Sequence, residues 1–203
     1  MQIAAVAYSQ LTPVARAKAD ALIRQVPQYN AWVASWPPQK AAQYAFIRAA
    51  TWADDIKKLE AGYGDDKPTD PAAGQNIGYF DALKHGYWHY MDIGFSTDGT
   101  PLEPANPVNA VTQIKVLATG LSTTSGLPDE VRSYDLVWLL HLVGDAHQPL
   151  HATARFSHDL PNGDQGGNKQ DVVPATGETI KLHAIGIAFS AAIRRQRGRY
   201  GMP

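Results

Sequence analysis

Apolar residues recur at helical spacing in four or five segments of this chain. That periodicity restricts the fold more than any other feature, because amphipathic helices bury their stripes by packing helix on helix. Thr12 and Pro13 form an N-cap and first turn for a helix to about Val26. Residues 41–59 are Ala-rich and free of Gly and Pro, which predicts a second helix, and 108–121 predicts a third. Pro128 and Asp129 open a fourth, which carries the apolar run 136–140, and Ile180 begins a fifth. Loops rich in Gly, Pro, Asp and Asn fall at 61–78, 94–106 and 156–168. Strand signals are few: 169–173 and a stretch near Thr179 are expected to pair briefly. The expected fold class is mainly α, a single-domain helical bundle over 1–203 with long loops, and loops this long usually carry a site or a lid.

Composition excludes several function classes. At 203 residues with 44% apolar and 18% charged residues, the chain buries a core without a metal or disulfide. A net charge of -1 rules out a cationic nucleic-acid coat, though not a local basic groove. With no cysteine there is no disulfide scaffold, Cys-held iron–sulfur cluster or Cys-type zinc finger. No stretch approaches the roughly 20 apolar residues of a membrane span. The first residues, MQIAAVAYSQLTP, have no basic leader and no long apolar core, so no signal peptide is expected in the chain as given.

The chemistry concentrates in His141-Leu-Val-Gly-Asp145-Ala-His147-Gln-Pro149-Leu-His151. On a helix His141 and Asp145 stand one turn apart on one face, the spacing at which an imidazole and a carboxylate share an ion. Pro149 is expected to end or kink the helix near His147, so His151 leaves on a bend and can bind a second ion that Asp145 bridges to the first. His147 points away and is read as a supporting or capping group. A lone buried His is more often a hydrogen-bonded core residue. Three His and an Asp around a Gly and a Pro shift the balance towards metal, because a buried Asp beside two imidazoles is costly when unpaired. A His- and Asp-rich set without Cys favours zinc over manganese or iron.

Two further stretches contribute candidates. In Trp52-Ala-Asp54-Asp55-Ile-Lys57 the two acids cannot both face one site on a helix; nearby Trp52 and Lys57 single out Asp54. His85-Gly-Tyr87-Trp88-His89-Tyr90-Met-Asp92 sets a second pair of His among aromatics that are more often core than site. The only glutamates, Glu60, Glu103, Glu130 and Glu178, have no His three residues on, so a carboxylate-bridged di-iron bundle is excluded. G-x-S-x-G, P-loop and G-x-G-x-x-G strings are absent.

Together, HLVGDAHQPLH, ATWADDIK, WHYMD and DQGGN closely resemble the zinc-dependent S1/P1 nuclease family, whose more distant relatives include bacterial zinc phospholipases C. The resemblance runs from LTPVARAKADAL to KLHA. It implies a mainly helical fold holding three zinc ions that activate water against a phosphoester. Carried over by motif, Asp54, His89, His141 and Asp145 ligate one zinc, with Asp145 bridging to a neighbour and acting with Asp54 in catalysis. His151 and His183 ligate a second. Lys57 faces the substrate phosphate, and Asn168 helps bind the nucleotide. The implied activity is endonuclease cleavage of single-stranded DNA or RNA, with 3′-nucleotidase action, by a secreted or periplasmic enzyme; a monomer is favoured. Alternatives are a zinc phospholipase C and a catalytically impaired fragment. Tyr87, Trp88, Tyr90 and Phe156 are weak candidates for base stacking.

Two departures temper the carry-over. The family's mature chain opens with a Trp-Gly…Gly-His string that holds one zinc; aligned on Leu11-Thr12-Pro13, Met1 falls just after that His. The family's N-L-H-x-x-W-D becomes here Lys181-Leu182-His183-Ala184-Ile185-Gly186-Ile187, with Ile187 in the place of the last ligand. Residues up to about 184 are family-like and 185–203 form an atypical tail, which a one-base shift of reading frame near Ala184 would restore to Trp-Asp. Fewer than three zinc ions are therefore expected on the chain as given.

Overall fold

The computed structural model describes residues 1–174 and 177–186. The departure at Ile187 and the tail behind it lie outside these residues. The chain divides into two compact units, Met1–His89 with Pro107–Gly144, and Tyr90–Asn106 with the segment from Asp145 onward.

The first unit is helical: α1 (Gln2–Gln10), α2 (Pro13–Ile23), α3 (Tyr29–Val33), α4 (Pro38–Ala49), α5 (Trp52–Asp55), α6 (Ala110–Gly120) and α7 (Asp129–Asp145, its last residue falling in the second unit). The mainly α class expected from the spacing holds, with little sheet. Thr12 caps α2 through its hydroxyl to Ala15 N, and Pro13 opens it, as the sequence predicts. Asn109 and Thr112 form a capping box that starts α6.

Two differences from the sequence expectation have distinct causes, one local and one tertiary. The helix expected over 41–59 breaks into α4 and α5, because the Thr51 hydroxyl and amide both bond back to the Arg48 carbonyl and stop the regular ladder. The other is α1, which has no side-chain cap and is held by tertiary contact. Its buried Tyr8 meets the Phe46 ring at 5.1 Å, lies under the Arg16 guanidinium at 5.0 Å, and donates to Asp20 at 3.1 Å. Helices α1, α2 and α3 all pack on α4. The largest fully buried side chains of the unit include Trp52, Trp88, Trp138 and Tyr134.

The second unit is built from short strands. β1 (Ile93–Ser96) pairs in parallel with β2 (Thr153–Phe156), Ile93 opposite Thr153. β3 (Asp171–Val172) pairs antiparallel with β4 (Ile180–Lys181), the brief pairing expected between 169–173 and Thr179. The helix expected from Ile180 begins two residues later, at 182. No helix among the described residues is long and apolar enough to cross a membrane.

Candidate metal centre

Three segments of the first unit each carry one candidate ligand beside a tryptophan or one turn from it. Trp52 stands two residues before Asp54 on α5, Trp88 directly before His89, and Trp138 three residues before His141 on α7. The rings meet: Trp52 and Trp138 at 6.0 Å edge-on, Trp88 and Trp138 at 4.8 Å. Aromatic contacts between buried rings add to their area burial and fix orientation. Trp138 thus acts as a common anchor, and the ligand beside each ring is carried to one place.

The turn bearing His89 has a second anchor. His85 has φ +45, a backbone state that non-glycine residues adopt only when the surroundings hold them there. Its fully buried imidazole is bridged between Asp66 Oδ2 at 2.7 Å and Asp81 Oδ2 at 2.9 Å and stacks on Trp88 at 3.9 Å. The Tyr87 hydroxyl donates to the same Asp66 carboxylate, and Trp88 Nε1 donates to the Ala73 carbonyl at 2.8 Å.

Ligand atoms of Asp54, His89 and His141 all lie within 4.8 Å of one another, the one such cluster among the described residues. His141 Nε2 stands 2.8 Å from His89 Nδ1 and 3.8 Å from Asp54 Oδ1. Atoms bound to one tetrahedral zinc at about 2.0–2.1 Å stand roughly 3.4 Å apart, and these separations straddle that value. His141 Nδ1 donates to the Ala50 carbonyl at 2.7 Å. A carbonyl only accepts, so the proton sits on Nδ1 and the Nε2 lone pair faces the cluster. Both imidazoles are buried, whereas the Asp54 side chain is 61% exposed, so the cluster opens to solvent on its carboxylate side. Partial desolvation pushes the Asp54 carboxyl up, but His141, Lys57 and His89 outweigh it and hold it below its ordinary value. Lys57 Nζ bonds Asp54 Oδ1 at 3.0 Å. Two imidazole nitrogens and a carboxylate oxygen are the donor set zinc accepts in sites that keep a position for water.

Asp55 faces elsewhere, bound to Arg48 at 2.6 Å and Lys58 at 2.7 Å, as two adjacent acids on one turn must diverge. His147 is exposed. Of the stacking candidates, Tyr87, Trp88 and Phe156 are buried and belong to the core, while Tyr90 is half-buried.

The remaining expected ligands, Asp145 among them, lie in the second unit. The Asp145 carboxylate is 3.6 Å from His151 Nδ1. The His151 and His183 rings stack at 5.0 Å. His183 Nδ1 donates to the Gly166 carbonyl at 2.8 Å, which leaves Nε2 as the ring's acceptor, 3.5 Å from the Gln148 side-chain nitrogen. Gly166 has φ +60, and a Cβ there would stand 2.2 Å from the Leu150 carbonyl oxygen, so the GGN string serves close backbone approach. Asn168 Nδ2 donates to the Gln165 carbonyl at 2.9 Å. Burial and neighbouring Asp164 push the Asp92 carboxyl up to about 6, against the pull of His183. Sequence reasoning quoted Asp92 within WHYMD without assigning it a role. It had no signal at all for the Ala50 carbonyl, because a backbone acceptor leaves no mark on residue type.

The S1/P1 Nuclease family model matches residues 1–186. The chain therefore belongs to the S1/P1 nuclease family, a class of metal-dependent hydrolases that act on nucleic acid. No curated protein gives a significant match.

Proposed function

We propose that the chain is a zinc-dependent phosphodiesterase that cleaves single-stranded DNA or RNA and also removes 3′-phosphates. The observation that carries this reading is the convergence of Asp54, His89 and His141, with His141 held in one tautomer by the Ala50 carbonyl. A zinc ion bound there supplies a more acidic water and a positive charge for the phosphate oxygens. The residues supply the rest. The aromatic base beneath His89 and His141 keeps their side of the site dry, and the exposed Asp54 leaves an entrance. Lys57, 38% exposed and next to that entrance, meets the incoming phosphate as a point charge. Asp145, His151 and His183 are the ligands we assign to further zinc, and Asn168 the residue we assign to the nucleotide. Secretion or export to the periplasm and a monomeric state complete the reading.

A phospholipase C reading has one observation in its favour: Ile93 and Phe95, on one face of β1 in the second unit, are 60% and 45% exposed, apolar side chains of the kind a lipid would meet. The test is an assay of the zinc-loaded chain on heat-denatured DNA, RNA and phosphatidylcholine, with chelated protein as control. Chelator-sensitive cleavage of denatured DNA is expected. Release of phosphocholine without nucleic-acid cleavage would replace the nuclease reading with the lipase one.

A further inference from the structure

The single turn α5 has two flanks. Asp54 reaches the metal cluster, while Trp52 and Asp55 line a separate cleft of about 280 Å³ in the same unit. Trp32, Arg48, Lys58, Tyr63 and Gln28 also line it. The Arg48 guanidinium lies 5.3 Å from the centre of the Trp32 ring. One turn back along α4, Tyr44 stacks on Trp36 at 4.1 Å and 20°. Because Tyr44 and Arg48 are neighbours on one helix face, the two contacts form adjacent rungs that lead to the cleft. Trp36 is 41% exposed and the Lys58 side chain 58%.

The chemistry of this wall is that of a nucleotide seat. One carboxylate, Asp55, is shared by two cations, Arg48 and Lys58, so the lining carries one uncompensated positive charge. The Gln28 carbonyl end accepts from Trp52 Nε1 at 3.1 Å, which leaves its NH₂ as the group on offer. Rings, an exposed ammonium and an amide donor match a base and its phosphate, the combination that proteins use to hold single strands without reading their sequence. We propose that this cleft seats a nucleotide of a single-stranded substrate away from the bond that is cut, with the Trp36–Tyr44 pair facing the next base. The proposal rests on the nuclease reading above and adds a site to it.

The test uses the full chain loaded with zinc and a fluorescent, hydrolysis-resistant phosphorodithioate oligothymidylate of twelve nucleotides, beside a dinucleotide of the same chemistry. Trp32→Ala is expected to weaken binding of the long strand about tenfold while leaving the dinucleotide unchanged. Lys58→Gln is expected to lower the salt slope of long-strand binding by about 0.7. Asp55→Asn tightens binding, since it releases both cations; if the network served only the fold, the same change would loosen it. Should Trp32→Ala not fold, the exposed Lys58→Gln and the opposite sign for Asp55→Asn decide the matter. Unchanged long-strand binding in these variants, while the wild-type chain still cuts denatured DNA, overturns the cleft alone. A wild-type chain that cuts no nucleic acid overturns the nuclease reading and the cleft with it.

Discussion

The two units hold their expected ligands by different means. In the first, Asp54, His89 and His141 are each carried beside a tryptophan, and the rings of Trp52 and Trp88 meet on Trp138. In the second, His183 is held by backbone: its amide bonds the Gly167 carbonyl at 3.3 Å and its ring the Gly166 carbonyl. A packed aromatic base resists displacement in every direction, because it has the density of a core. A glycine brace fixes two hydrogen bonds and leaves the remaining freedom to the loop. The difference teaches that core packing holds the candidate ligands of the first unit in place, while order around His183 rests on a loop, where binding of a metal would be linked to local folding.

Deleting a ligand from each unit gives the largest expected effect. His141→Ala should lower activity on denatured DNA by more than about a hundredfold, past the 10–100-fold range typical of supporting residues, and lower the zinc content. His183→Ala should cost less activity and raise local amide exchange in 164–170 once its brace is gone. Equal losses and no local change in exchange would mean that the units do not differ in preorganisation.

Removing the supports rather than the ligands sharpens the same contrast. Trp138→Ala should destabilise the chain by about 3–5 kcal/mol, as large buried aromatics do. It should also weaken zinc binding, because two ligand-bearing turns lose their common anchor. Gly166→Ala meets a disfavoured φ and a carbonyl in the way, for about 1–3 kcal/mol. Denaturant unfolding of both variants measures the pair; a larger cost at Gly166 would reverse the comparison.

What the sequence made legible follows the same division. The spacing of His141 and Asp145 was readable because both lie on one helix, of which His141 is brought into the three-residue cluster, and Pro149 announced the end of α7, which stops at Asp145. Asp54 was singled out locally by Trp52 and Lys57, whereas His89 was readable only through motif resemblance, since nothing local says which distant loop returns to a helix. The common anchor on Trp138 was not readable: ring-on-ring packing is long-range, and the residue types alone said only that these rings are core. The parallel pairing of β1 with β2 escaped because four-residue strands far apart in the chain carry almost no periodicity. The bridged His85 was unreadable too, as its partners Asp66 and Asp81 sit in loops where acids are ordinary surface residues.

A titration separates the core of the first unit from its site. Asp135 on α7 is fully buried, and that burial pushes its carboxyl up to about 7 against the opposing pull of Asn76 and Arg132. The native state therefore keeps a proton that the unfolded chain releases near pH 4, so stability falls as pH rises from about 4 to about 7 and is level above that. Asp135→Asn removes the ionisation. It should flatten this slope and raise stability at pH 8 by about 1–3 kcal/mol, the usual cost of burying an ill-matched polar group. Urea midpoints at pH 5 and pH 8 check the sign; a steeper fall in the variant would place the titration on another group.

Asn168 carries the smallest expected effect on stability and separates two roles that the second unit leaves open. Family resemblance assigns it to the nucleotide, yet its Nδ2 donates to the Gln165 carbonyl, three residues back in an exposed turn. A neutral, exposed hydrogen bond of this kind contributes about 0.5–1 kcal/mol. Gln165 itself has φ +55, so the turn holds a strained residue that the bond helps to retain. If Asn168 only supports the turn, Asn168→Ala should shift stability by that small amount, and kcat and KM should follow any loss of His183 order together. If it also binds the nucleotide, KM should rise severalfold with kcat unchanged, because uniform binding is what has been removed. Asn168→Asp distinguishes the two further. The carboxylate cannot donate to the Gln165 carbonyl and repels a phosphate, so a KM increase larger than that of Asn168→Ala, at equal stability, assigns the residue to substrate. Equal KM values for the two variants and the wild type leave it as part of the brace.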